Sequence, residues 1–80
     1  MLNINDLLQI AIEETVNLEP GEKFLLKDLF KGYEWNRILR KDRLLLGTLF
    51  LNYVNSKEND KCIKTVEKTS SNQQKYEKIV

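Results

Sequence analysis

The chain has 80 residues, 41% hydrophobic and 31% charged, with a net charge of +1, one cysteine and no histidine. That is the length of one domain, residues 1–80, near the lower end of what buries a self-sufficient core. The composition excludes an intramolecular disulfide, imidazole acid/base or nucleophile chemistry, and metal sites built on histidine or a thiolate cage.

The small net charge conceals a split. Residues 1–22 carry Asp6, Glu13, Glu14, Glu19 and Glu22 and no base, whereas residues 23–56 carry seven bases and three acids, and residues 57–80 six bases and four acids. A dipolar molecule of this kind can present one face to an anionic partner, although a solvated surface segregates in the same way. No apolar run reaches the roughly 20 residues that span a bilayer. With a lone cysteine and no signal peptide, the sequence predicts a cytoplasmic protein with no membrane partner.

In chain order, residues 3–18 read as a first helix, capped by Asn3 or Asn5, with Asp6 favoured by the N-terminal dipole. Ile4, Leu8, Ala11, Ile12 and Thr15 make its apolar stripe, widened by Leu7 and Ile10. That face is wider than one small domain needs, so it predicts a homodimer through helix 1. Pro20-Gly21 breaks the helix. Lys23–Leu26 reads as a short strand, and residues 27–38 as a compact broken helix. In the broken helix, Asp28 begins a first turn, Gly32 stops it, and Leu29, Phe30, Trp35 and Ile38 turn inward. Trp35 reads as a core anchor, with base stacking or a partner contact as the alternatives.

A longer helix starts near Lys41 or Asp42 and runs to about residue 55. Leu46, Leu49, Phe50, Tyr53 and Val54 line one face. Lys41, Leu45, Thr48, Asn52 and Asn55 line another, with Arg40, Arg43 and Leu44 nearby. Gly47 costs up to about 1 kcal/mol in mid-helix, which predicts that another element approaches closely there. Residues 61–67 read as a strand with Cys62 as a small buried hydrophobe. Residues 69–72 form a turn, and residues 73–79 a returning strand with Tyr76 and Ile79 as its apolar positions.

Helix, short strand, broken helix, helix and C-terminal β-hairpin is an α+β order. It is the order of a winged helix, in which a helix-turn-helix precedes a two-stranded wing. No glycine-rich phosphate loop is present, and Glu13 and Glu14, adjacent in sequence, do not form a carboxylate dyad. The sequence therefore predicts no enzyme, no cofactor and no metal.

The stretches GEKFLLKDLFKGYEWNRI, RLLLGTLFLNYV and EKTSSNQQKY resemble a family of small domains of unknown function found in Gram-positive bacteria and their phages. The matching positions are Phe24, Leu26, Asp28, Leu29 and Trp35, then Arg43, Gly47, Phe50 and Val54, then Asn72 and Tyr76. They cover roughly Pro20 to Tyr76. The resemblance implies a winged-helix-like architecture and brings no activity or site residue with it.

Function therefore rests on the residues. The first expectation is a nucleic-acid-binding module for DNA or RNA. Arg40, Lys41 and Arg43 at the helix entrance and Lys61, Lys64, Lys68 and Lys75 in the hairpin would meet phosphates, and Thr48 and Asn52 would reach base edges. The second is a protein-interaction module, of the type a phage encodes to modulate or inhibit a host protein, using acidic helix 1 or the tip at residues 70–74. The third is a small structural domain that dimerises through helix 1.

Overall fold

A computed structural model describes residues 3–59, 62–70 and 73–80. Within them the chain is α+β, with three α-helices and a three-stranded antiparallel sheet: α1 (Ile4–Glu14), β1 (Lys23–Leu25), α2 (Gly32–Arg37), α3 (Arg40–Val54), β2 (Ile63–Val66) and β3 (Lys75–Lys78). Short 3₁₀ turns lie at Thr15–Asn17, Leu26–Leu29 and Lys57–Asn59.

α1 begins with a reciprocal cap. The Asp6 amide donates to Asn3 Oδ1 at 2.9 Å and the Asn3 amide to Asp6 Oδ2 at 3.4 Å, which satisfies two of the amides a helix start leaves open. The predicted first helix ends earlier as an α-helix than its apolar stripe, and Thr15–Asn17 continue it as a 3₁₀ turn. Ala11 and Thr15 are buried, and Ile4, Leu7, Leu8 and Ile12 pack against the core, while Ile10 faces out. Gly21, at φ +93°, takes a left-handed position that suits glycine, and its amide donates to the Lys78 carbonyl at 2.7 Å.

Two features of the broken helix differ from expectation. Asp28 is the third residue of its 3₁₀ turn, where Oδ2 accepts from the Leu25 amide at 2.9 Å. Gly32 does not stop a helix; it is the first residue of α2, whose start is held by Glu34 Oε1 accepting from the Lys31 amide at 3.1 Å. In both turns a carboxylate three residues downstream fixes where the helix begins, a stronger local signal than the glycine. Leu29 and Ile38 are buried, and Phe30 and Trp35 are half-buried with ring centroids 5.8 Å apart.

The sheet order is β1-β3-β2, so the last strand is central. The register sets Phe24 and Thr65 on either side of Tyr76, and Ile63 beside Lys78. Because side chains alternate across a strand, Tyr76 and Lys78 point inward and Ile79 does not. Ile79 was expected as the second apolar position of this strand; it follows β3 and is 42% exposed. Lys78 takes the inward place instead, and its ammonium donates to the Thr15 carbonyl at 2.8 Å. That carbonyl also accepts from the Leu18 amide at 3.2 Å, and a cation beside it suits the negative end of α1's helical run.

α3 supplies the centre of the core. Leu46 and Phe50 are fully buried, Val54 nearly so, and Leu49 and Tyr53 half-buried, as the spacing predicts. The Phe50 ring meets Tyr76 edge-on at 5.0 Å, and Tyr76 stacks on Phe24 at 5.7 Å, the offset and edge geometries that aromatic quadrupoles favour. Cys62 is half-buried and packs against this cluster. Asn59 joins the end of α3 to β2: its amide nitrogen donates to the carbonyls of Val54 at 2.8 Å and Ile63 at 2.7 Å.

Candidate functional site

Beside α3 lies an open groove of about 550 Å³, walled on one side by the helix and on the other by the Leu26–Leu29 turn and the loop end of the hairpin. Lys27, Arg40, Arg43 and Lys68 line it together with Thr48, Trp35 and Gln73, and no carboxylate is among the described residues that do so. Half-buried Leu51 and exposed Leu44 add apolar surface to its helix side.

Arg43 is the most constrained of these cations. Its guanidinium lies over the Trp35 ring, 5.5 Å from the centroid, and Nη2 donates to the Asn36 carbonyl at 3.2 Å. Its Nε is buried and has no hydrogen-bond partner among the described residues. Arg43 thus binds α2 to α3 as well as lining the groove. Trp35 is occupied in turn, packed on Phe30 and covered by Arg43, an arrangement that favours the anchoring role over base stacking.

Gly47 also lines the groove. The expectation that it admits a closely packed element is wrong: a Cβ built there meets nothing within 4 Å. The helix carries its glycine where the molecule leaves open space.

The nine residues predicted to contact nucleic acid are divided by the fold. Arg40, Arg43, Thr48 and Lys68 come together in the groove. Thr48 is exposed, and its hydroxyl donates to the Leu44 carbonyl at 3.3 Å. Lys41 and Asn52 stand exposed on the outward face of α3, away from the groove lining. Lys64 and Lys75 lie on the sheet face opposite the core, where Lys23, Glu77 and Lys64 form one cross-strand row and Leu25, Lys75 and Val66 the next. Lys61 lies outside the described residues, as do Ser71 and Asn72 of the predicted hairpin tip.

Lys68 links two regions. It lines the groove and also a shallow depression on the sheet side shared with Lys23, Glu67 and Lys75. A strip of cations therefore runs from Lys27 and Arg40, across Lys68, to Lys75 and Lys23. Lys27 was not anticipated from the sequence. It sits in a 3₁₀ turn 13 residues before α3 begins, and no periodicity shows that this turn packs beside the helix.

Among the described residues no group of three or more His, Cys, Asp or Glu side chains is placed to hold a metal ion, and no helix is long and apolar enough to cross a membrane. Burial pushes the Tyr76 phenol up to about 12.

Fold and groove together define a small α+β domain with a cationic groove. The chain belongs to the family described as a domain of unknown function (DUF1413), whose model matches residues 9–78. No curated protein and no solved structure gives a significant match.

Proposed function

We propose that this protein is a non-enzymatic nucleic-acid-binding module of winged-helix type, working in the cytoplasm. The observation that carries the reading is the strip of cations from Lys27 and Arg40 to Lys75 and Lys23, with no carboxylate among the described residues of its groove section and Glu67 beside its sheet section. Phosphates attract such a strip regardless of base sequence, and the gain comes from released counterions. The element order and the pairing of β1 with the hairpin agree with a winged helix. Gly47 adds support, because a glycine that weakens a helix without a packing reason suits the close approach of a ligand backbone.

The test is gel retardation or fluorescence anisotropy with duplex DNA and with single- and double-stranded RNA, over a salt series. Contact with four or five phosphates of B-DNA gives a log–log salt slope of roughly −4. Lys27→Glu with Lys68→Glu, and separately Arg40→Glu with Lys41→Glu, should weaken all sequences alike. Thr48→Ala should change preference among sequences, because Thr48 lines the groove that a base edge would enter, whereas Asn52→Ala, on the outward face of α3, should leave preference unchanged. Lys64→Glu tests the outer sheet face by itself. Absence of retardation in dilute salt overturns the reading.

A second reading is favoured by one observation. Leu44 is 66% and Leu45 46% exposed on α3, an apolar pair that suits a protein partner better than phosphate. In that reading the domain is an interaction module of the kind Gram-positive phages use against a host protein.

A further inference from the structure

The outward faces of α1 and α3 complement each other. On α1, Ile10 is exposed and Glu13 and Glu14 are exposed one turn later. Val16, 76% exposed, follows in the 3₁₀ turn. On α3, Arg40 and Lys41 are exposed and Leu44 and Leu45 follow one turn later, a face that takes in Arg40 and Leu44 from the groove's helix side. Each face is a charged pair next to apolar surface. The charges are opposite, and the order along the helix is reversed.

We infer that a second copy of this chain is the partner of the exposed face of α3, and that it docks through its own α1 in antiparallel orientation. Ile10 precedes Glu13 by three residues and Leu44 follows Lys41 by three, a rise of about 4.5 Å along each helix. In antiparallel register Glu13 and Glu14 therefore meet Lys41 and Arg40 while Ile10 meets Leu44 and Leu45. Contact of α1 with α1 across a two-fold axis is disfavoured, since it would set the acidic pair of one copy against that of the other. Leu7, Leu8 and Ile12, the residues that would make such a contact apolar, are packed on their own core. A reciprocal arrangement, α1 on the partner's α3 and the reverse, closes the assembly as a dimer. Its apolar content is small, so it is weak and salt-sensitive.

The inference stands independently of nucleic acid, but it has a consequence for it: the contact covers Arg40 and Lys41. The acidic helix of one copy then competes with phosphate for the basic helix of another.

Sedimentation equilibrium of the full chain, without nucleic acid and in dilute salt, tests this. The weight-average mass should rise from 9.5 kDa toward twice that value as concentration increases, and fall back in high salt. Glu13→Lys with Glu14→Lys should weaken association roughly tenfold, and so should Arg40→Glu with Lys41→Glu, because each turns attraction into repulsion. Both double variants change exposed side chains, and thermal melts check that each is folded. Mixed in equal amounts, the two variants restore both contacts of a reciprocal dimer, and association should return to the wild-type level. A wild-type chain that remains at 9.5 kDa at the highest concentration overturns the inference. So does association that survives both reversals, or a mixture that fails to recover.

Discussion

Replacing Gly47 by alanine separates the helix from the groove. Glycine inside a helix is about 0.5–1 kcal/mol less favourable than alanine, because it loses more backbone freedom on folding. That gain is normally offset when the new methyl group strikes a neighbour, but the Cβ built at Gly47 has nothing within 4 Å. The whole propensity difference should therefore appear as stability. For a domain of 60–100 residues, 1 kcal/mol corresponds to about 4–8 °C in Tm, so Gly47→Ala should melt roughly 2–8 °C above the wild type. Thermal and urea denaturation followed by circular dichroism measure both quantities. A variant that melts below the wild type refutes the reasoning, since the methyl group must then meet something. Gly47→Leu extends the test: leucine is a good helix former and projects further into the groove, so the fold should hold while nucleic acid is excluded. Undiminished binding by that variant would show that phosphate does not pass there.

Two further outcomes concern stability alone. Phe50→Ala, which removes the ring touching Tyr76, Phe24 and Tyr53, should cost about 3–5 kcal/mol in urea denaturation; a melting point that hardly moves would contradict the central place of α3. Tyr76 makes stability depend on alkaline pH. Its phenol ionises at about 12 when folded, against 10 in the unfolded chain, so its contribution is complete below pH 10 and is lost as pH rises toward 12, by roughly 2–3 kcal/mol. Tyr76→Phe should flatten that part of the pH profile, and an unchanged profile would show that the phenol is not desolvated.

Much of the architecture was legible because it rests on local patterns. The spacing of Leu46, Phe50 and Val54 is enough to orient α3, and the apolar stripe from Ile4 to Thr15 is enough to orient α1. Failures came where a pairing partner decides. Ile79 looks like an inward strand residue until the register with β1 and β2 sets the parity at Tyr76 and Lys78. A lysine is an improbable core position in a sequence; it becomes one here because the Thr15 carbonyl, 63 residues away, accepts from it. Gly47 illustrates a different limit, since a mid-helix glycine signals either close packing or open space, and only tertiary structure distinguishes them. The candidate site was half visible. Arg40, Arg43, Thr48 and Lys68 converge, but Lys27 enters from a turn whose position beside α3 has no periodic signature, and Lys64 and Lys75 are sent to the other side by strand alternation.

The central place of β3 in the sheet governs when this chain can fold during synthesis. β1 leaves the ribosome early, but its partner is β3, so both strand edges of residues 23–25 stay open until residues 75–78 emerge. The Lys78 ammonium that meets the end of α1 arrives with them. α1, α2 and α3 can form their local hydrogen bonds beforehand, while the aromatic contact of Phe24 with Tyr76 cannot. Long-range pairing of this kind slows folding relative to a helical bundle of equal size, and it leaves an exposed strand edge in every nascent intermediate. A nascent chain in which residues 75–78 have not yet left the ribosome would therefore be helical and protease-sensitive, and the arrival of β3 would convert it into the folded domain.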